Sequence, residues 1–312
     1  MYFKKTMQLV STNYRVHLKS LVAQILALCL IAAIFSWFFI SFANVINDVI
    51  KQNGLIGGAQ DILNDLFNWD DVIAEEFPQK LADFFAKVRD SINAIPDFSA
   101  KFSTAVLFAI IVAYLYYFVF GLAVYPTFCI VNRFMATNTR TYFLWTMFKN
   151  FGVGIRFVAM RALLFLFLDW TAFMISAGTY ILVFVNLGLA GVIFALLVMM
   201  FMFGIRNALF AYWLPVTVNE CDKVSQSLKK SIVVMMDDFW WLLLKSLVIV
   251  CIGTILCAAA LLLFKTLVAF ILIVLLISFA SYVLNTWYFV SYYENKKKPY
   301  FVKGIVIKEE ND

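Results

Sequence analysis

Six apolar stretches, each long enough to cross a bilayer, constrain this chain more than any other feature of its sequence. The hydrocarbon core of a bilayer is about 30 Å thick, and a helix needs about 20 apolar residues to cross it. Because 64% of the residues are hydrophobic and only 14% are charged, a water-soluble globule could not bury the apolar surface. The sequence therefore predicts an all-α integral membrane protein with six transmembrane helices. The stretches run approximately over Leu21–Ile46, Ser103–Pro126, Ile155–Ser176, Thr179–Gly204, Trp240–Phe264 and Thr266–Val290.

Short interruptions indicate where consecutive spans turn back. The last two stretches form one apolar run from residue 240 to residue 290. As a single helix this run would be about 75 Å long, more than twice the thickness of the bilayer core. We therefore expect a turn at Lys265. A similarly tight turn is expected at Ser176–Thr179, between the third and fourth spans.

The charges of the loops orient the spans. The segment Asn47–Lys101 holds ten acidic and five basic residues, whereas the N-terminal stretch, the loop Thr127–Lys149 and the C-terminal tail are basic. Lys and Arg accumulate on the cytoplasmic side of short loops. Both termini are therefore predicted to be cytoplasmic. The predicted parts are a cytoplasmic N-terminus with the first span (1–46), an extracytoplasmic acidic helical segment (47–102), a five-span membrane domain (103–290) and a cytoplasmic basic tail (291–312).

The acidic segment predicts an outer helical hairpin. The glycine-rich residues Gln52–Gly58 are the expected hinge, and Pro78 is expected to start the second helix, which Pro96 would end. An apolar stripe at helical spacing runs from Leu81 to Ile95. This stripe either packs inside the protein or docks an extracytoplasmic or membrane protein partner. The docking candidates are Leu81, Phe84, Phe85, Val88 and Ile92.

Two cytoplasmic connections resemble each other. Each follows a span and begins with a dipeptide that ends in proline, Tyr125–Pro126 or Leu214–Pro215. Each then continues into an amphipathic segment, and Ser225 is the expected N-cap of the second. We expect two helices in the inner interface and a parallel repeat over about 106–176 and 180–264. The apolar faces are Leu144, Trp145, Phe148 and Phe151 in the first connection and Leu228, Ile232, Met235, Met236 and Phe239 in the second.

The layout of these connections resembles bacterial YesL-like membrane proteins, a family without a settled activity. It is also similar to related membrane domains found with glycerophosphodiesterases. The resemblance covers roughly Val106–Leu263 and is carried by Tyr125–Pro126, Leu214–Pro215 and Ser225–Ser231. The long acidic segment departs from the compact pattern of that family. The resemblance implies a protein of the bacterial plasma membrane with a link to carbohydrate uptake systems.

Charged residues inside the predicted spans are functional candidates, because a charge is costly in hydrocarbon. Arg161 and Asp169 share one face of the third span about 12 Å apart, which suits the two ends of a polar path. With Lys245 on the fifth span they are the substrate-path candidates. The alternative for each is a position at the membrane interface, where a long side chain can reach the headgroups. We also expect the pair Asp237–Asp238 to bind Arg206 or Lys245.

Other features exclude several kinds of chemistry. His17 is the only histidine, and motifs for phosphate loops, zinc proteases and nucleophile elbows are absent. We therefore expect no enzymatic activity, no metal or cofactor and no nucleic-acid partner. Lys296, Lys297 and Lys298 are expected to anchor the tail at anionic lipid headgroups.

Three functional classes remain open. A non-enzymatic accessory or scaffold subunit of a membrane system is favoured, and the resemblance suggests carbohydrate uptake for that system. The alternative is a small-solute transporter or channel that uses the polar face of the third span, and a membrane-embedded lipid enzyme is less favoured. Transport requires that Arg161, Asp169 and Lys245 converge on one cavity, whereas a scaffold requires an uncovered stripe on the hairpin. The sequence also predicts that Asp169→Asn leaves folding intact.

Overall fold

A computed structural model describes residues 2–52, 54–67, 71–93, 98–187, 189–220, 223–263, 267–302 and 305–307. Within these ranges the chain forms eleven α-helices and one two-stranded antiparallel sheet. The helices are α1 (Tyr2–Thr12), α2 (Tyr14–Gln52), α3 (Leu55–Phe67), α4 (Asp71–Asn93), α5 (Phe98–Thr137), α6 (Phe143–Lys149), α7 (Phe151–Leu187), α8 (Leu189–Leu209), α9 (Trp213–Glu220), α10 (Val224–Leu263) and α11 (Leu267–Asn295), and the strands are β1 (Tyr300–Val302) and β2 (Ile305–Ile307).

In the described part of the chain, six helices are long and apolar enough to cross a membrane. This confirms the predicted helical class and the predicted number of spans. The candidate spans are Tyr14–Ser36, Ser103–Thr137, Phe151–Tyr180, Ile193–Glu220, Val224–Ala260 and Ile271–Asn295.

The chain divides into two compact units. Unit 1 comprises Met1–Leu28, Tyr116–Ala172 and Met200–Asp312, and unit 2 comprises Cys29–Leu115 and Phe173–Met199. The core of unit 1 is rich in aromatic side chains that are less than 2% exposed. Among them are Phe128, Phe157, Tyr212, Trp213, Phe289 and Tyr292.

Two glycines of unit 1 hold a side chain of another helix directly against their own helix. A Cβ added at Gly204 of α8 would lie 2.5 Å from Cδ2 of Leu247 in α10. One added at Gly121 of α5 would lie 2.6 Å from Cγ1 of Val158 in α7. Lipid tails are as apolar as leucine, so close packing at small residues contributes to helix association in membranes. Neither glycine has room for a side chain without movement of its neighbour.

Helix α5 continues through Pro126 to Thr137, so the predicted end of the second span is wrong. A proline removes one backbone hydrogen bond, but a membrane helix tolerates it where neighbouring groups satisfy the backbone. The carbonyl of Ala123 accepts hydrogen bonds from Thr127 Oγ1 at 2.9 Å and from Ser20 Oγ of α2 at 3.1 Å. Pro126 itself removes the backbone donor for the carbonyl of Leu122, four residues earlier, so these two bonds add contacts near the proline without replacing the lost one.

The predicted turn at Ser176–Thr179 is also wrong, because α7 remains helical to Leu187. The hydroxyl groups of Ser176 and Thr179 both bond backbone carbonyls of helices. Thr179 Oγ1 donates to the carbonyl of Ile175 at 2.8 Å, and Ser176 Oγ donates to the carbonyl of Ala195 in α8 at 3.0 Å. Helix α8 begins only at Leu189.

The turn predicted at Lys265 lies outside the described residues. Helix α10 ends at Leu263 and α11 begins at Leu267, on either side of that position. The helices contact each other in unit 1.

The two predicted cytoplasmic connections differ in structure. Helix α6 is a separate helix in which Phe143 is buried, whereas Leu144, Trp145 and Phe148 of the predicted apolar face are exposed, with Trp145 at 63%. The second predicted interfacial helix is instead the first part of α10, because no glycine or proline interrupts residues 224–252. Before it, the short helix α9 is buried against α10: Trp213 Nε1 donates to Ser227 Oγ at 3.1 Å, and the hydroxyls of Thr217 and Ser227 are 2.7 Å apart.

Helices α3 and α4 pack on each other in unit 2. The ring of Phe84 lies 3.0 Å from the position of a Cβ added at Gly58. Lys80 Nζ donates to Asp65 Oδ2 at 3.2 Å, and this hydrogen bond raises the pKa of Lys80. The predicted pair of helices is therefore present in the described residues.

Two boundaries of this pair differ from the prediction. Helix α4 begins at Asp71, and Pro78 lies inside it on an exposed position, where water can bond the carbonyl left free by the proline. The hinge expected at Gln52–Gly58 is shorter than predicted, because α2 extends to Gln52 and α3 already begins at Leu55. Gly54 alone among the described glycines has a positive φ, 60°.

The apolar stripe of α4 is partly covered. Leu81, Phe84 and Val88 are half-buried, whereas Phe85 is 59% exposed. Ile95 and the side chain of Ile92 lie outside the described residues. The stripe is therefore not an uncovered surface, and Phe85 is its exposed member.

Both ends of the chain meet in unit 1. Strand β1 pairs with β2, with Tyr300 opposite Ile307. Glu294 Oε1 of α11 accepts hydrogen bonds from Lys5 Nζ of α1 at 2.7 Å and from the Tyr300 hydroxyl at 2.5 Å. A single carboxylate oxygen thus joins the first helix, the last helix and the sheet.

We expect Gly204→Ala to lower the free energy of unfolding by about 1–3 kcal/mol, because the new methyl group overlaps Leu247. Gly152→Ala is the matched control, since a Cβ at this exposed helical glycine meets no atom within 4 Å. The control should be neutral or slightly stabilising. Denaturant titration of both variants in micelles measures the difference, and equal midpoints would show that the α8–α10 contact is not tight.

Candidate functional site

A cavity of about 450 Å³ lies among helices α5, α7, α8, α10 and α11 in unit 1. All five helices belong to the candidate membrane spans. The wall combines aromatic and aliphatic side chains with a small number of polar groups, a composition typical of small-molecule sites. The polar and charged side chains of the wall are Tyr116, Tyr117, Arg161, Asp169, Arg206, Asn207, Thr254, Ser281, Asn285 and Tyr288.

Asp169 of α7 forms an ion pair with Arg206 of α8 at the cavity wall. Arg206 Nη1 donates to both carboxylate oxygens, and the hydroxyl of Tyr117 donates to Oδ2. Arg206 Nη2 also donates to Asn207 Oδ1 at 3.0 Å. Because a charge pair away from water is stable only with good geometry and additional hydrogen bonds, this network satisfies the requirement for both charges.

Arg161 lies two helical turns before Asp169 and lines the same cavity. Its Cζ is 4.6 Å from the ring centroid of Phe165 and 6.0 Å from that of Phe157. Within the described residues its guanidinium has no carboxylate within ion-pair distance. Cation–π contacts hold Arg161 in place, but they do not neutralise its charge.

The two arginines share one aromatic neighbour. Cζ of Arg206 is 4.5 Å from the ring centroid of Phe165, nearly the same distance as Cζ of Arg161. The Cζ atoms of Arg161 and Arg206 are therefore no farther apart than the sum of these two distances. Phe165 therefore contacts two positive charges, and Arg206 is the one that is paired with Asp169.

Lys245 is not part of the cavity wall, although the sequence groups it with Arg161 and Asp169. Its Nζ donates to Ser291 Oγ of α11 at 2.7 Å and lies 5.7 Å from the ring centroid of Trp287. Two of the three substrate-path candidates therefore line one cavity, and the third links α10 to α11.

Of the two partners expected for Asp237–Asp238, Arg206 is wrong, whereas Lys245 lies close enough to Asp238 for an electrostatic interaction. Arg206 binds Asp169 instead, and Asp238 Oδ2 accepts hydrogen bonds from Tyr212 at 2.6 Å and from Asn295 at 2.8 Å. Asp238 thus joins α10 to the end of α11.

Arg206 is the functional residue that sequence analysis missed. The predicted fourth span ended at Gly204, so Arg206 counted as a flanking residue, but α8 continues to Leu209. Opposite charges on consecutive spans could have predicted this ion pair, because Asp169 lies on α7 and Arg206 on α8, the next long helix in the chain. The polar wall residues of α11, Asn285 and Tyr288, carried no such signal.

The tail lysines have different surroundings. Lys296 is exposed, and Lys297 has a positive φ of 51°. Lys298 Nζ lies 3.8 Å from Glu220 Oε1 and 5.5 Å from the ring centroid of Tyr292. Lys298 therefore contacts the protein, and a role for Lys296 and Lys297 at lipid headgroups stays a prediction.

Comparison with protein-family models, with curated proteins and with solved structures gives no match to this chain. The resemblance to YesL-like proteins accordingly stays a prediction from the sequence. Among the described residues, no three His, Cys, Asp or Glu side chains are close enough to hold a metal ion.

We expect Asp169→Asn to lower the free energy of unfolding by about 2–4 kcal/mol, because Arg206 would lose its counter-ion in a poorly hydrated site. This replaces the expectation that folding stays intact. Asp237→Asn, at an exposed aspartate of α10, is the control and should have little effect. The double variant Asp169→Asn/Arg206→Gln should recover part of the loss in the same micelle titration. A wild-type midpoint for Asp169→Asn would contradict the assigned ion pair.

Proposed function

We propose that this protein binds a small solute in the five-helix cavity and carries it across the membrane. The observation that carries the proposal is that Arg161, Asp169 and Arg206 line one cavity among candidate membrane spans. Charged side chains inside membrane spans are rare, face cavities and mark substrate pathways. The volume, about 450 Å³, falls within the range of small-molecule sites.

The proposed membrane arrangement follows the loop charges. Both termini face the cytoplasm of a bacterial cell, the protein lies in the plasma membrane, and the α3–α4 pair is extracytoplasmic. Helix α6 lies in the inner interface, which its exposed residues Leu144, Trp145 and Phe148 support. The protein acts without enzymatic chemistry.

Flux measurement tests the proposal directly. Full-length protein is reconstituted in liposomes, and uptake of labelled glucose, alanine, lysine and benzoate is compared with protein-free liposomes. Gly253→Leu fills the cavity, because Gly253 lines it and a Cβ there meets only Ala280, at 3.9 Å. We expect uptake of at least one solute by the wild type and background uptake by Gly253→Leu.

Gly152→Leu is the matched control, since it adds the same side chain at an open position outside the cavity wall. It should transport like the wild type. Equal uptake by the wild type and Gly253→Leu, or uptake at background for all four solutes, would contradict transport through this cavity.

An accessory or scaffold role is the second candidate, and Phe85 favours it. This side chain is 59% exposed on α4, whereas its neighbour Phe84 packs on Gly58. A substitution of Phe84 would disturb the α3–α4 contact itself, so Phe85 is the cleaner probe of a docking surface. The proposed partner is a membrane or extracytoplasmic subunit of a carbohydrate uptake system.

We expect Phe85→Glu to abolish capture of such a subunit by crosslinking in native membranes, because the charge replaces an exposed apolar contact. Lys87→Glu, an exposed position on the same helix, is the control for added negative charge. Capture that is unchanged by Phe85→Glu, or lost equally in both variants, would remove this surface from consideration.

A further inference from the structure

We propose that the cavity takes an organic anion, and that Arg161 binds its carboxylate or phosphate group. This inference rests on the proposed function, because it names the class of solute for the same site. Three observations support it: the charge of the wall, the chemistry of the guanidinium group and the size of the cavity.

The cavity wall carries an excess of positive charge. Among its described residues, the side chains charged at neutral pH are Arg161, Arg206 and Asp169. Asp169 is occupied, because both its oxygens accept from Arg206 and one also accepts from Tyr117. The charge of Arg161 is therefore left without a neutralising carboxylate in a poorly hydrated site. Such a charge is costly, and a bound anion would offset the cost.

The guanidinium group suits this role. It is planar, stays protonated and presents donors in a fork that matches carboxylate and phosphate oxygens. Stacking on a ring uses the face of the group and leaves the N–H donors at its edge available. Arg161 has such a ring in Phe165, at 4.6 Å from Cζ.

The remaining wall indicates an organic body. One water molecule occupies about 30 Å³ of liquid, so a small inorganic anion would fill only a minor part of the cavity. The aromatic side chains of Tyr116, Phe120, Phe203 and Phe210 line it as well. A carboxylate or phosphate attached to an apolar or aromatic group therefore fits the wall better than a bare ion.

The same anionic chemistry is available from two sources, a soluble organic acid and the headgroup of an anionic lipid. The test uses the full chain in nanodiscs and follows thermal unfolding. In one arm, discs of phosphatidylcholine are titrated with benzoate, phenyl phosphate and benzamide, the neutral analogue of benzoate. In the other arm, discs containing phosphatidylglycerol are compared with phosphatidylcholine discs without any added probe.

Two variants assign the effect to one residue. Arg161→Gln removes the proposed ligand, and Arg156→Gln is the matched control, because Arg156 is an exposed arginine of the same helix outside the cavity wall. We expect benzoate or phenyl phosphate, but not benzamide, to raise the unfolding midpoint of the wild type and of Arg156→Gln. Arg161→Gln should weaken this binding by at least about tenfold.

A further result would also support the anion site. If phosphatidylglycerol stabilises the wild type but not Arg161→Gln, and the soluble anions have no effect, the ligand is a lipid headgroup. Three results would overturn the proposal: equal binding of benzamide and benzoate, wild-type affinity in Arg161→Gln, or no response to any anion in either arm. Arg161→Gln breaks no ion pair among the described residues, so its unliganded midpoint should not fall. If it does, Arg161→Lys keeps the charge and should retain the preference for benzoate over benzamide.

Failure of this inference is distinguishable from failure of the proposed transport. If an anion binds in a way that depends on Arg161 but no solute is taken up, the anion site is supported and transport is contradicted. Flux that Gly253→Leu blocks, together with no anion binding that depends on Arg161, would leave transport and remove the anion site.

Discussion

Packing of side chains onto glycines of neighbouring helices is the constraint on which the helices around the cavity depend. In hydrocarbon, burying one apolar side chain against another gains little over contact with lipid, so helices must pack closely or share hydrogen bonds. Gly121 meets the side chain of Val158 between α5 and α7, and Gly204 meets that of Leu247 between α8 and α10. Gly121 and Val158 also belong to the cavity wall. A side chain larger than hydrogen at position 121 would therefore change the cavity wall as well as the contact between α5 and α7.

The charged residues of the cavity are held by the same helices. Asp169 and Tyr117 connect α7 to α5, and Arg206 connects α7 to α8. This network is neutral as a whole, which reconciles a buried carboxylate with an apolar environment. The additional arginine beside Phe165 is what distinguishes the cavity from a purely structural polar cluster. Among the described residues it contacts the rings of Phe157 and Phe165 and has no carboxylate partner, and this is the feature on which the proposed anion site depends.

Sequence analysis predicted the features that depend on local pattern and missed those that depend on distant residues. Long apolar runs define the six spans, and helical spacing defines α3 and α4. The hydrogen bond from Ser20 of α2 to the carbonyl of Ala123 in α5 joins residues more than a hundred positions apart. The ion pair of Arg206 with Asp169 also joins two helices. The start of α10 was misjudged for another reason, because an amphipathic period is the same in a separate interfacial helix and in the first turns of a longer one.

The contact at Glu294 restrains how the chain between its donors can run. Lys5 lies before the first candidate span and Tyr300 after the last, yet both donate to the same carboxylate oxygen. In a bilayer, two segments outside the hydrocarbon that share one oxygen atom lie on the same face. The chain between them then crosses an even number of times. Six candidate spans between Lys5 and Tyr300 agree with this requirement.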